Sequence, residues 1–191
     1  MDKIKFDFFD VLGYLIPGTA LLFSCWIVAD SSIHCLDDLY GFVKKIDANM
    51  LLSGVVIAYI MGFTLHFLGS ILFHINNGKT KRKRDAITSD LSKYWALIRE
   101  HGDRHLVVLD RWQALKALSS NLAAFSLIAV FLCLIKWKCT SHWEWALFSP
   151  LFLMLFFVYS DRARRFHRYL DEDSYAVFEV LNLKEKLPAD V

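Results

Sequence analysis

His66, Ser70 and His74 recur at four-residue steps inside Asn49–Asn77, a run free of Asp, Glu, Lys and Arg. Such steps keep three side chains on one helical stripe. Titratable groups in an apolar segment are costly to hold there, and they suit pore lining, a proton relay or metal ligation. The plainer role is hydrogen bonding between helices, or for His74 a snorkelling position at the membrane surface. The two imidazoles are too far apart along a straight helix to share one ion, so neither a metal nor a cofactor is expected. A second chemical group is cationic. Lys79, Lys81, Arg82, Lys83 and Arg84 follow the apolar run, and Arg162, Arg164, Arg165 and Arg168 follow a later one. Such clusters attract anionic lipid, or grip the phosphates of a single-stranded oligonucleotide or nucleotide messenger. A third group is Cys35 with Cys139, which form a disulfide if both face an oxidising compartment and otherwise remain free thiols. No phosphate-binding loop, nucleophile elbow, zinc-protease or dinucleotide motif is present. The adjacent carboxylates, Asp37-Asp38 and Asp171-Glu172-Asp173, lie in polar stretches. No catalytic residue is assigned, and the expectation is not an enzyme.

The elements that must position these groups follow from how charge is distributed. The chain has 191 residues, 55% hydrophobic and 22% charged, with a net charge of +2. That balance excludes a disordered chain, a secreted disulfide scaffold and a large soluble catalytic domain. The charge is segregated: Val11–Ala29, Asn49–Asn77, Ala117–Ile135 and Trp145–Ser160 carry none. A span needs about 20 apolar residues, and the runs predict an all-α membrane protein with four transmembrane helices. Pro17-Gly18 is the expected hinge, because proline lacks an N–H and crowds the preceding turn. Of 22 lysines and arginines, 18 fall in the N-terminal tail, the 78–116 segment and the C-terminal tail. The positive-inside rule then puts those segments and both termini in the cytoplasm of a bacterial inner membrane. Trp26, Trp137, Trp143 and Trp145 all fall at the opposite interface, where an indole keeps its ring in lipid and its N–H near water.

Four segments organise the chain: 1–77 with an amphipathic start and two spans, 78–116 as a cytoplasmic helical hairpin, 117–160 with two more spans, and 161–191 as a C-terminal cytoplasmic helix. In the hairpin Ile87, Leu91, Tyr94, Trp95 and Ile98 form one apolar face, His101-Gly102-Asp103 marks the stop, and Leu106–Leu118 runs into the third span. The tail brings Phe166, Tyr169, Leu170, Tyr175, Phe178 and Leu181 to pack on it. Gly54, Ala58, Gly62 and Gly69 give the second span a small-residue pattern that lets backbones approach closely. A chain this short lacks the repeats of secondary transporters, so conduction would need a symmetric homo-oligomer, with a tetramer the working guess.

The run Phe6-Asp7-Phe8-Phe9-Asp10-Val11-Leu12-Gly13-Tyr14-Leu15-Ile16-Pro17-Gly18, with Arg111-Trp-Gln-Ala-Leu-Lys-Ala-Leu-Ser-Ser-Asn-Leu122, resembles small bacterial antiphage-defence membrane effectors, nearest those of Hailong systems. The resemblance implies an oligomeric inner-membrane ion channel held shut by an oligonucleotide from a partner nucleotidyltransferase. Opening would depolarise the membrane and arrest growth. It identifies no ligand residues; those come from charge position alone. A ring of cations at the mouth favours anions. The alternative is a non-conducting membrane anchor or scaffold that recruits a cytoplasmic partner.

Overall fold

A charge-free run in an apolar solvent must satisfy its own backbone N–H and C=O groups, which favours long unbroken helices. The computed structural model of the protein describes residues 8–44, 46–77, 97–101 and 103–182. Among these residues there are helices and no strands. They are α1 (Phe8–Ala29), α2 (Leu36–Val43), α3 (Ala48–Asn77), α4 (Asp103–Thr140) and α5 (Trp143–Val180). Residues 97–101 add a further helical stretch.

Three of these helices are long and apolar enough to cross a membrane: α3, α4 and α5. The apolar part of α1, Gly13–Ala29, is shorter, about 25 Å at 1.5 Å per residue. The centre of the bundle is α4. Its apolar stretch is 44% buried, against 22% for α3 and 11% for α5. Those two therefore turn most of their apolar surface outward. Leu21, Leu65, Ala124, Phe125 and Ala129 form the core, with Leu72 and Phe152 packed against it.

Small residues set how closely the helices cross. A Cβ built on Gly18 would collide with the carbonyl of Ala58 and come 2.7 Å from the Gly62 nitrogen. One built on Gly62 would collide with the Tyr14 backbone. Gly69 plays the same part toward α4, where a Cβ would lie 2.8 Å from the Ser120 oxygen. The small-residue pattern of α3 is thus used within one chain, along α1 at one level and α4 at the next.

Two sequence expectations need correction here. Of the kink or break expected at Pro17-Gly18, the break does not occur: α1 runs on through Pro17. The C-terminal helix is not separate either: α5 continues from its apolar half through Arg162 to Val180. No glycine or proline interrupts 151–182, and Asp161 supports the junction by pairing with Arg165 (2.7 Å) and Arg164 (3.7 Å) one turn on. The expected segment boundaries at 116/117 and 160/161 therefore lie within continuous helices. Each helix of 38 residues measures about 57 Å, well beyond a hydrocarbon core of about 30 Å.

The overhanging halves make a second core. Ile98, Leu109, Leu170, Val177 and Phe178 are buried together, with Leu97, Leu106, Trp112 and Leu181 against them. Trp112 of α4 stacks on Phe166 (5.9 Å between centroids), tilts against Tyr169 (5.2 Å) and donates Nε1–H to Asp173 at 2.6 Å. Residues 97–101 are helical and α4 begins at Asp103; Gly102, at the centre of the expected stop, lies outside the described residues. Ile87, Leu91, Tyr94 and Trp95 lie outside the described residues. Tyr175, expected to pack inward, is exposed.

The glycine geometry sets a graded test. A Cβ at Gly13 meets nothing within 4 Å, so Gly13→Ala does not destabilise and gains about 0.5–1 kcal/mol of helix propensity. Gly18→Ala and Gly62→Ala force α1 from α3 and destabilise by about 1–3 kcal/mol each, the usual cost of overpacking. Thermal unfolding of the purified protein in detergent reads the difference.

Candidate functional site

Proline at position 17 leaves the carbonyl four residues earlier without its helical donor. That carbonyl belongs to Gly13, and the side chain of Asn121 supplies what is missing: its Nδ2 donates to the Gly13 oxygen at 3.0 Å. Asn121 is wholly buried, and its Oδ1 has no hydrogen-bond partner. Ser119, Ser120 and Ser126 are buried on the same helix. The hydroxyls of Ser120 and Ser126 turn back onto backbone carbonyls of their own helix. The expected hinge is thus a braced joint, with Gly18 locked against α3 one residue beyond Pro17.

His66 faces this joint. Its ring meets Tyr14 edge-on at 5.5 Å, and its Nδ1 is enclosed without a hydrogen-bond partner. Ser70 is half-buried and His74 exposed. The stripe therefore turns from the α1 contact to the open surface along its length, because four residues overshoot one turn of 3.6. Orphaned polar atoms of His66 and Asn121 belong to one three-helix junction, joined through the neighbours Gly13 and Tyr14. Among the described residues no cluster of three His, Cys, Asp or Glu could hold a metal ion.

At the basic end of the bundle, Arg162, Arg164, Arg165 and Arg168 are all exposed. Arg164 and Arg165 share the Asp161 carboxylate, so part of their charge is neutralised locally. Lys79, Lys81, Arg82, Lys83 and Arg84 lie outside the described residues. Lys116 adds a cation at this level that sequence reading missed, with its ammonium 4.8 Å over the Phe73 ring. His167 meets the same ring at 5.3 Å and pairs with Asp171 at 3.6 Å.

At the opposite end, the segment expected to be a loop folds as a cap containing α2. Lys136 is 2% exposed and donates to the Asp30 backbone oxygen at 2.7 Å. Trp145 donates to the His34 oxygen at 2.8 Å, and the Leu36 N–H to Glu144 at 3.2 Å. Ile33 and Trp145 are buried there, with Trp26, Leu39 and Ile46 packed around them. All four tryptophans assigned to one interface do gather at this end. Of the two readings of Cys35 and Cys139, a disulfide or free thiols, the structure has the free thiols. The described cysteines are free, and the Cys35 thiol donates instead to Asp38 at 3.4 Å. Asp38 also accepts the backbone N–H groups of His34 (2.8 Å) and Cys35 (3.0 Å). Those backbone donors, helped by the thiol, hold its carboxyl below the ordinary carboxylate range.

No protein-family model matches the chain, and neither a curated protein nor a solved structure is significantly similar to it.

Two measurements follow. Asn121→Ala strands the Gly13 carbonyl and destabilises by about 1–2 kcal/mol. Restoring the helical donor with Pro17→Ala removes most of that cost, so a double-mutant cycle on thermal stability shows coupling between residues remote in sequence. The second concerns pH. Asp38 has a lowered folded value, so its contribution is present above the unfolded value of about 3.9 and is lost as pH falls through the folded one. Acidification below the ordinary carboxylate range should loosen the cap and change Trp145 fluorescence. Asp38→Asn flattens that transition.

Proposed function

We propose that the protein is a four-span protein of the bacterial inner membrane, with α1, α3, α4 and α5 crossing and both termini and the basic end in the cytoplasm. It assembles as a homo-oligomer, with a tetramer as the working stoichiometry, and conducts ions, preferentially anions. An anionic oligonucleotide or nucleotide messenger gates it, and opening depolarises the membrane and arrests growth as an antiphage effector. A nucleotidyltransferase would make the ligand.

The observation that carries this reading is the collection of exposed arginines where α5 leaves its apolar half, at the opposite end from the tryptophans. A phosphate ligand finds guanidinium donors there, and a symmetric assembly multiplies them into a ring. The packed interior of the described chain argues for a conduction path between copies. The outward apolar surfaces of α3 and α5 supply contact area for such copies, and α3 carries Ser70 and His74 on or near its open side. The alternative is a non-conducting scaffold. It is favoured by exposed Val107, Val108, Tyr175 and Val180 on the overhanging core, which would seat a cytoplasmic partner.

Planar-bilayer recording on the purified protein separates them. The channel reading expects currents whose reversal potential follows the chloride gradient and which respond to single-stranded oligonucleotide. Arg162→Gln with Arg168→Gln should weaken that response at least tenfold. Silence under every ligand condition would overturn conduction and leave the scaffold.

A further inference from the structure

Below the polar joint, α3, α4 and α5 leave a shallow crevice open to the surface. Each helix contributes a small residue to it and, one turn nearer the basic end, a larger one. On α3 these are Gly69 and Phe73, on α4 Ser120 and Lys116, on α5 Ser160 and Arg164. All but Lys116 line the crevice itself, and Lys116 reaches its edge over the Phe73 ring. We propose that this crevice binds the phosphate headgroup of an anionic membrane lipid.

Three features select an amphiphile. The cations come from two different helices, Lys116 over the Phe73 ring and Arg164 in the lining that includes Phe73, so the charge is gathered at one crevice rather than spread along a tail. Arg164 is half-exposed, and its contact with Asp161 is long, at 3.7 Å, because that carboxylate is held closely by Arg165. Its guanidinium keeps donors for a phosphate. Most decisively, Leu153, Phe157, Ser160 and Arg164 follow one stripe of α5, at steps of four, three and four. Leu153 and Phe157 are exposed apolar side chains, and the polar pair begins directly below them. An acyl chain lies along the first pair while its headgroup reaches the second. A free oligonucleotide has no use for the apolar half, whereas basic pockets between membrane helices suit anionic headgroups.

The test uses the full chain, purified, delipidated and returned to detergent, with bound lipid counted by native mass spectrometry. The probes are dioleoylphosphatidylglycerol, dioleoylphosphatidylcholine and inorganic phosphate. The anionic lipid should bind at least tenfold more tightly than the zwitterionic one. Lys116→Gln and Arg164→Gln should each weaken it about fivefold, the factor equivalent to about 1 kcal/mol per charge. Ser160→Phe, filling the crevice from its rim, should abolish the site, and Lys138→Gln at the far end should not change it. Melting temperatures of the variants identify any that fail to fold; Arg164, being surface-exposed, provides the variant that tolerates change. Equal affinity for the two lipids, or no effect of Arg164→Gln in a folded protein, would overturn the proposal. So would inorganic phosphate binding as tightly as the lipid, which would make this a site for free phosphate.

Discussion

One hydrogen bond organises the bundle: Asn121 Nδ2 to the Gly13 carbonyl that Pro17 cannot serve. In a membrane interior no water is at hand to take over a freed backbone oxygen, so a neighbouring helix must. That requirement brings α4 against α1 at one level. Gly18 and Gly62 then permit α3 to close on α1, and Gly69 permits it to close on α4 at the height of Asn121 itself. A polar pair and three glycines thereby determine the mutual approach of three helices. The apolar core around Leu65 and Phe125 fills the remaining volume. Hydrophobic burial alone has little to say about helix arrangement where lipid is as apolar as leucine.

Much of this architecture can be read from residue order, and the parts that cannot share a cause. Charge-free runs locate the apolar helices, and the small-residue steps of α3 announce close packing. The aromatic and aliphatic spacing near Trp112, Phe166 and Leu170 anticipates the second core. Asn121 is different. Its significance arises only when Pro17, 104 positions away, is recognised as freeing one particular carbonyl and the two are brought together. An asparagine in an otherwise apolar run was the available signal. Lys136 likewise ends a charge-free run and looks like a border residue, although folding buries it. The short α2 has too few residues for periodicity to show. Continuity of α5 is hidden for the opposite reason: composition changes from apolar to charged at Asp161, although nothing in the backbone calls for a break there.

The two ends of the bundle solve different problems. At the tryptophan end, polar groups are matched to backbone atoms: buried Lys136 to Asp30, buried Trp145 to His34, and Asp38 to the turn before α2. Such pairing favours a single arrangement, because each donor has a specified acceptor. The basic end is built of exposed arginines, cation–aromatic contacts and small side chains around an open crevice. Its charges are available for exchange with partners in solution or in the membrane. The site most suited to recognition therefore lies at the end whose polar groups are least committed within the chain.

The hairpin of α4 and α5 turns at Ser141, which adopts a left-handed backbone (φ 60°), and is clamped near that turn by Lys136 and Trp145. From there each helix continues without interruption to the second core. Viewed mechanically, this is a pair of joined struts, clamped at the cap and held again midway along α4 by Asn121 and by the close approach of Gly69. A tilt of about 5° at the cap displaces the far end of a strut of about 57 Å by about 5 Å, comparable to one helical turn. Any rigid tilt of the pair is therefore largest at the arginine-bearing end, and the Asn121 contact, midway along α4, is what resists it.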